Sequence, residues 1–200
     1  MNRLTLIFAV LAATLNAIAA ADPAGTRRVT LLNYPDCIEL SNADTIVVLG
    51  HHAGGRVLKY AWRGKDALFL SPEEANWNPN QPVARRAITA GRFDIGPENL
   101  VPKREVLWSG GWTAEIIAPR AARLISQPDA ATGVQLVREF RLAATGSQLA
   151  CTQIIKNVST DTKEWCHWSR TFAQPGGIGV VPVSSGGKFP HGYVMYQPGK

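Results

Sequence analysis

The chain has 200 residues, of which 46% are hydrophobic, 18% charged and 8% aromatic, and a formal net charge of +6. That balance excludes a disordered tail, a collagen-like rod and a multi-span membrane protein. Eighteen glycines and thirteen prolines exclude a helical bundle, because both residue types break helix interiors.

The N-terminus reads as a secretory signal peptide over residues 1–21. Arg3 supplies a basic start, Leu4 to Leu15 is apolar apart from threonines, and Asn16-Ala17-Ile18-Ala19-Ala20-Ala21 offers small-residue cleavage sites near Ala19 to Ala21. The apolar run is shorter than the ~20 residues of a spanning helix. Export with cleavage is therefore expected, to the periplasm or outside the cell, with no stable membrane insertion. Removing Arg3 leaves twenty basic residues against fifteen acidic ones, a charge of +5. The basic residues are scattered and no helix-turn-helix, zinc-finger or RNP pattern accompanies them, so nucleic acid is not an expected partner.

From residue 22 onward short β-rich runs follow one another, separated by turn chemistry. Val29 to Leu32, Cys37 to Leu40 and Thr45 to Leu49 come first, and Arg56 to Trp62 follows Gly54-Gly55. Arg63-Gly64-Lys65-Asp66 turns into Ala67 to Leu70. Residues 71–91 carry no strand pattern and read as a long loop. Glu105 to Trp108, Trp112 to Ala118, Ala122 to Ser126, Val134 to Leu142 and Gln148 to Lys156 resume the series. Trp165 to Phe172, Ile178 to Val183 and a strand-like Tyr193 to Tyr196 complete it. In Val134 to Leu142 the residues Val134, Leu136, Arg138, Phe140 and Leu142 alternate with Gln135, Val137, Glu139 and Arg141, the period of a sheet packed on one face. The expected fold is an all-β antiparallel sandwich, with one domain over 22–200.

Function has to be sought among aromatics, arginines and a few carboxylates. All six tryptophans lie beyond residue 60. As a strand, Trp165-Cys166-His167-Trp168-Ser169-Arg170 puts Trp165, His167 and Ser169 on one face and Cys166, Trp168 and Arg170 on the other. Indole faces beside planar donors suit a sugar, whose CH surface stacks and whose hydroxyls need hydrogen bonds. The competing place for each tryptophan is the core. In the second cluster, Gly91 to Glu98 followed by Trp108-Ser109-Gly110-Gly111-Trp112, Asp94 and Glu98 are candidate acid and base, Arg92 a candidate anchor and Trp112 a further aromatic surface. This stretch reads as a loop rich in Gly and Pro, in which Asp94 could equally serve turn hydrogen bonds. His51-His52 reads as a pair of exposed turn histidines, and Asn157-Val158-Ser159 fits a glycosylation sequon. No metal-ligand spacing, P-loop, dinucleotide fingerprint or GxSxG is present, so neither metal nor cofactor is expected. Cys37, Cys151 and Cys166 allow at most one internal disulfide; Cys151 and Cys166 flank a presumed hairpin, and nothing sets their pairing or an oligomeric state.

Gly54-Gly55-Arg56-Val57, then Gly91 to Glu98, then Asn157-Val158-Ser159 leading into Trp165-x-His167-Trp168 together resemble the galactose mutarotase-like superfamily. More closely, they resemble a family of exported bacterial proteins grouped with the aldose epimerases. The resemblance runs from about Val29 to Lys200 and implies a β-supersandwich that holds a sugar or oligosaccharide on a concave sheet. Related epimerases open the pyranose ring with a histidine acid and a glutamate base. His167 falls where they place a histidine, after the Asn-x-Ser turn, and is the implied acid. Arg104, in Pro102-Lys103-Arg104-Glu105, stands near the family's arginine, but the histidine of that stretch is absent. The base glutamate of such enzymes lies further on, so the sequence is expected to be the N-terminal part of a longer domain. The implied function is exported carbohydrate binding; the alternatives are an aldose epimerase and a structural or protein-interaction sandwich.

Overall fold

The computed structural model describes residues 21–76, 78 and 88–178. Its strands are β1 Thr26–Leu31, β2 Tyr34–Ser41, β3 Thr45–Gly50, β4 Arg56–Trp62, β5 Lys65–Asp66 and β6 Arg92–Gly96. They continue as β7 Thr113–Ala118, β8 Ala121–Ile125, β9 Val134–Leu142, β10 Leu149–Asn157 and β11 Cys166–Arg170. A 3-10 turn, Pro72–Asn76, and one short helix, α1 Glu105–Trp108, interrupt the series. All pairings of these strands are antiparallel, in three sheets of order β1-β2-β3-β4-β5, β10-β9-β8-β7 and β11-β6.

The two larger sheets pack into an all-β sandwich. Ile38 and Leu40 of β2, Val47 and Leu49 of β3, and Leu124, Leu136, Phe140 and Leu142 from the opposite sheet bury against one another in a single cluster. Strand β9 shows why: Val134, Leu136, Arg138, Phe140 and Leu142 are all buried, and the residues between them are not. Alternation places its side chains on opposite faces, and the apolar set finds the other sheet. The β4–β5 hairpin closes on Arg63 and Gly64, both at positive φ (48° and 80°), the backbone of a two-residue turn that matches strand twist.

Three sequence expectations are corrected. Glu105 to Trp108 is helix α1, not a strand: Trp108 N–H donates to the Arg104 carbonyl at 2.9 Å and Ser109 N–H to Glu105 at 3.0 Å. Four residues are too few for periodicity to separate helix from strand. Ala67 to Leu70 is not a strand either; β5 is the preceding Lys65–Asp66, and Leu68 makes an isolated bridge to Ala173. The stretch from Arg92 to Gly96, read as loop because of its Gly and Pro neighbours, is strand β6. The presumed hairpin around Asn157 is also different. Asn157 does turn the chain, accepting bonds from Ser159 N–H and Oγ at 2.9 Å, but β11 then pairs with β6 rather than with β10. Cys37, Cys151 and Cys166 are free thiols. Residues 179–183 of the strand expected from Ile178, and Tyr193 to Tyr196, lie outside the described residues.

The Gly54-Gly55-Arg56 motif has a packing explanation. A Cβ on Gly55 would sit 2.5 Å from the Trp112 ring, so glycine is what lets that indole lie against the backbone. Arg56 follows, buried to 1% exposure. It donates from Nε to the Ala53 carbonyl (2.8 Å) and pairs through both terminal nitrogens with the equally buried Glu74, which also accepts the Tyr34 hydroxyl at 3.1 Å.

His51 and His52 lie beside this latch, half-buried rather than exposed, with ring centroids 4.0 Å apart and His52 5.4 Å from Tyr34. Burial lowers the pKa of both; the positive field of Arg28 adds to it at His51, and His51 itself adds to it at His52, which falls to about 4. Asp36 opposes both shifts. The native state holds these rings neutral, whereas the unfolded chain protonates them near pH 6.5. Their contribution to stability is therefore complete above about pH 6.5 and is lost as the pH falls toward 4. Thermal melts between pH 7 and 4 should show Tm falling with acid. The decline should be shallower in a His51→Gln/His52→Gln variant; equal slopes in the two proteins would remove the pair from the acid response.

Candidate functional site

The two-stranded ribbon β6–β11 carries most of the candidate residues. In its register Arg170 faces Arg92, Trp168 faces Asp94 and Cys166 faces Gly96, while Ser169 faces Phe93 and His167 faces Ile95. Directly opposed residues share a face. Arg92, Asp94, Trp168 and Arg170 thus lie together, and His167 lies on the other side.

The first face is fixed by a buried ion pair. Arg104, just before α1, binds Asp94 through two parallel bonds, Nε to Oδ1 at 3.0 Å and Nη2 to Oδ2; both side chains are buried. The pair ties β6 to α1 and sets Trp108 beneath the ribbon, where Arg92 stacks on its ring and Arg104 lies 5.3 Å from the ring centroid. Asp94, with each oxygen on Arg104, serves here as an anchor for that guanidinium. Burial lowers the Arg92 pKa to about 9, helped by Arg170 and Arg104 and opposed by Asp94 and Glu98; it stays cationic at neutral pH. Toward the outside, Arg170 lies 3.6 Å from Glu98, both partly exposed. Trp168 lies over Gly96, where an added Cβ would come within 3.2 Å of the indole. Its side chain stays 40% exposed. A cleft lined by Lys103, Arg104, Glu105 and Trp108 borders this arrangement.

The structure therefore brings together Arg92, Asp94, Glu98, Arg104, Trp168 and Arg170. It separates Trp112 and Trp165 from them and turns His167 to the other side of the ribbon, where it shares a cleft with Asp94. Trp165 donates from Nε1 to the Thr132 carbonyl at 3.0 Å and packs on the main core. Trp112 is 4% exposed inside that core. His167 is exposed and opens on a small cleft with Arg138, Gln153 and Ile154, where the ribbon meets β9 and β10. The carboxylate lining that cleft among the described residues is Asp94, already engaged by Arg104.

Sequence reasoning set Trp108 in the same cluster as Arg92 but gave it no role as the plate under that guanidinium, and it missed Arg138. Arg138 is buried on the apolar face of β9, donates to the Gly55 and Phe93 carbonyls and rests 4.4 Å from the Trp112 ring centroid. A charge in the apolar phase of a clean alternation was the available signal for Arg138; the role of Trp108 was hidden because its helix was read as a strand.

Among the described residues no group of three or more His, Cys, Asp or Glu side chains is placed to hold a metal ion. No helix among them is long and apolar enough to cross a membrane. No family model, curated protein or solved structure matches this chain.

Proposed function

We propose that this chain is an exported carbohydrate-binding protein of galactose mutarotase-like type, with its sugar held on the Trp168 face of the β6–β11 ribbon. The observation that carries it is the half-open Trp168 indole, seated on Gly96 and flanked on the same face by the Arg170–Glu98 couple. A pyranose presents a CH face and equatorial hydroxyls, which need a flat apolar plate and planar donors and acceptors at its rim. A strand supplies both more rigidly than a loop would. His167, the acid implied by the epimerase resemblance, lies across the ribbon from that plate, beside a carboxylate, Asp94, already engaged by Arg104, so binding rather than ring opening is the activity proposed.

Tryptophan fluorescence titrated with mono- and oligosaccharides tests it. The emission should shift on saturation, and Trp168→Ala should weaken binding by about tenfold or more, the scale of one lost aromatic stacking contact. A flat titration, or full affinity in Trp168→Ala with the shift intact, would assign the tryptophans to the core alone.

A further inference from the structure

The ribbon face carries one more positive charge than its own carboxylates offset. Arg92, Arg104 and Arg170 share it with Asp94 and Glu98; Asp94 is spent on Arg104, and Glu98 lies against Arg170. Arg92 is 5% exposed, and its buried Nη2 has no hydrogen-bond partner among the described residues. Arg138 is the instructive contrast. It too is buried, but its guanidinium donates to the Gly55 and Phe93 carbonyls and is accounted for by folding alone. An open guanidinium donor inside a protein calls for a partner that the fold does not supply.

We propose that Arg92 anchors a singly charged anionic substituent on the bound sugar, the carboxylate of a uronic acid or a sulfate ester. This rests on the carbohydrate reading of the same face. One surplus charge calls for a monoanion, whereas a phosphate monoester brings nearly two at neutral pH. The guanidinium fork offers paired, planar donors of the kind that carboxylate and sulfate oxygens accept. The Arg92 guanidinium carbon lies over the Trp108 ring, and Trp108 also lines the cleft with Lys103, Arg104 and Glu105.

Calorimetric titration of the full chain with glucuronate against glucose, with galactose 6-sulfate against galactose, and with inorganic phosphate tests this. At least one acidic sugar should bind about tenfold or more tightly than its neutral counterpart, as expected for one charge-assisted paired contact, and the better arm identifies the anion. Arg92→Gln should bring that pair within about twofold of each other, as the fork is lost. Arg92→Lys, which keeps the charge and serves if the first variant does not fold, should also lose most of the preference. Equal affinity for acidic and neutral sugars overturns the anionic anchor and leaves the carbohydrate reading standing. A preference that survives both substitutions overturns the role of Arg92. Phosphate binding with no sugar bound overturns the carbohydrate reading and the proposal with it, as does binding of no probe at all.

Discussion

Glu74→Ala should lower the free energy of unfolding by about 3–5 kcal/mol, the cost of leaving one member of a buried ion pair without its partner. Glu74 and Arg56 have side chains 0% and 1% exposed, and Glu74 also accepts the Tyr34 hydroxyl. Removing it takes the ion-pair partner from a buried guanidinium and an acceptor from a buried phenol at once. Small domains are stable by only about 5–15 kcal/mol, so the variant should unfold at far lower urea, with a matching drop in Tm. Arg56→Met/Glu74→Leu should recover much of the loss, because a buried pair replaced by apolar groups of similar size is often close to neutral. Asp44→Ala is the surface control. Its Arg63 partner is 64% exposed, and the change should cost no more than about 1 kcal/mol. A Glu74→Ala loss no larger than that of the control would show that the latch does not hold the fold.

Asp94→Ala should be comparably destabilising, by about 3–5 kcal/mol, and should also abolish sugar binding. The two effects have one cause. Asp94 is the contact that joins β6 to the segment entering α1, and without it the buried Arg104 and Arg92 repel each other around Trp108. Binding should be measured by fluorescence at a temperature where circular dichroism shows the variant still folded. Wild-type affinity under those conditions would separate the ion pair from the site, and wild-type stability would mean that Arg104 finds another partner.

Local pattern was enough for some of this. The alternation in β9 and the Gly-bearing turn at Arg63-Gly64 are short-range properties, so strand and turn could be read directly, although the strand that follows the turn was placed two residues too late. Helix α1 could not, because its four residues carry no period and its stability comes from burying Leu107 and Trp108. The site was legible as residue types but not as an arrangement. Trp165 and Trp168 could be set on opposite faces of a strand from sequence, but not which of them would pack on the core and which would half-face solvent.

The sequence by itself determined an antiparallel all-β chain and the phase of strand β9, because those follow from composition, period two and turn residues. Tertiary structure alone decided that β11 would pair with β6 instead of β10, that Asp94 would be committed to Arg104, and that Arg92 would be left with an open donor. The physical reason is that antiparallel register and the burial of a charge both depend on which distant strand arrives alongside. No local pattern in a chain encodes the identity of that neighbour.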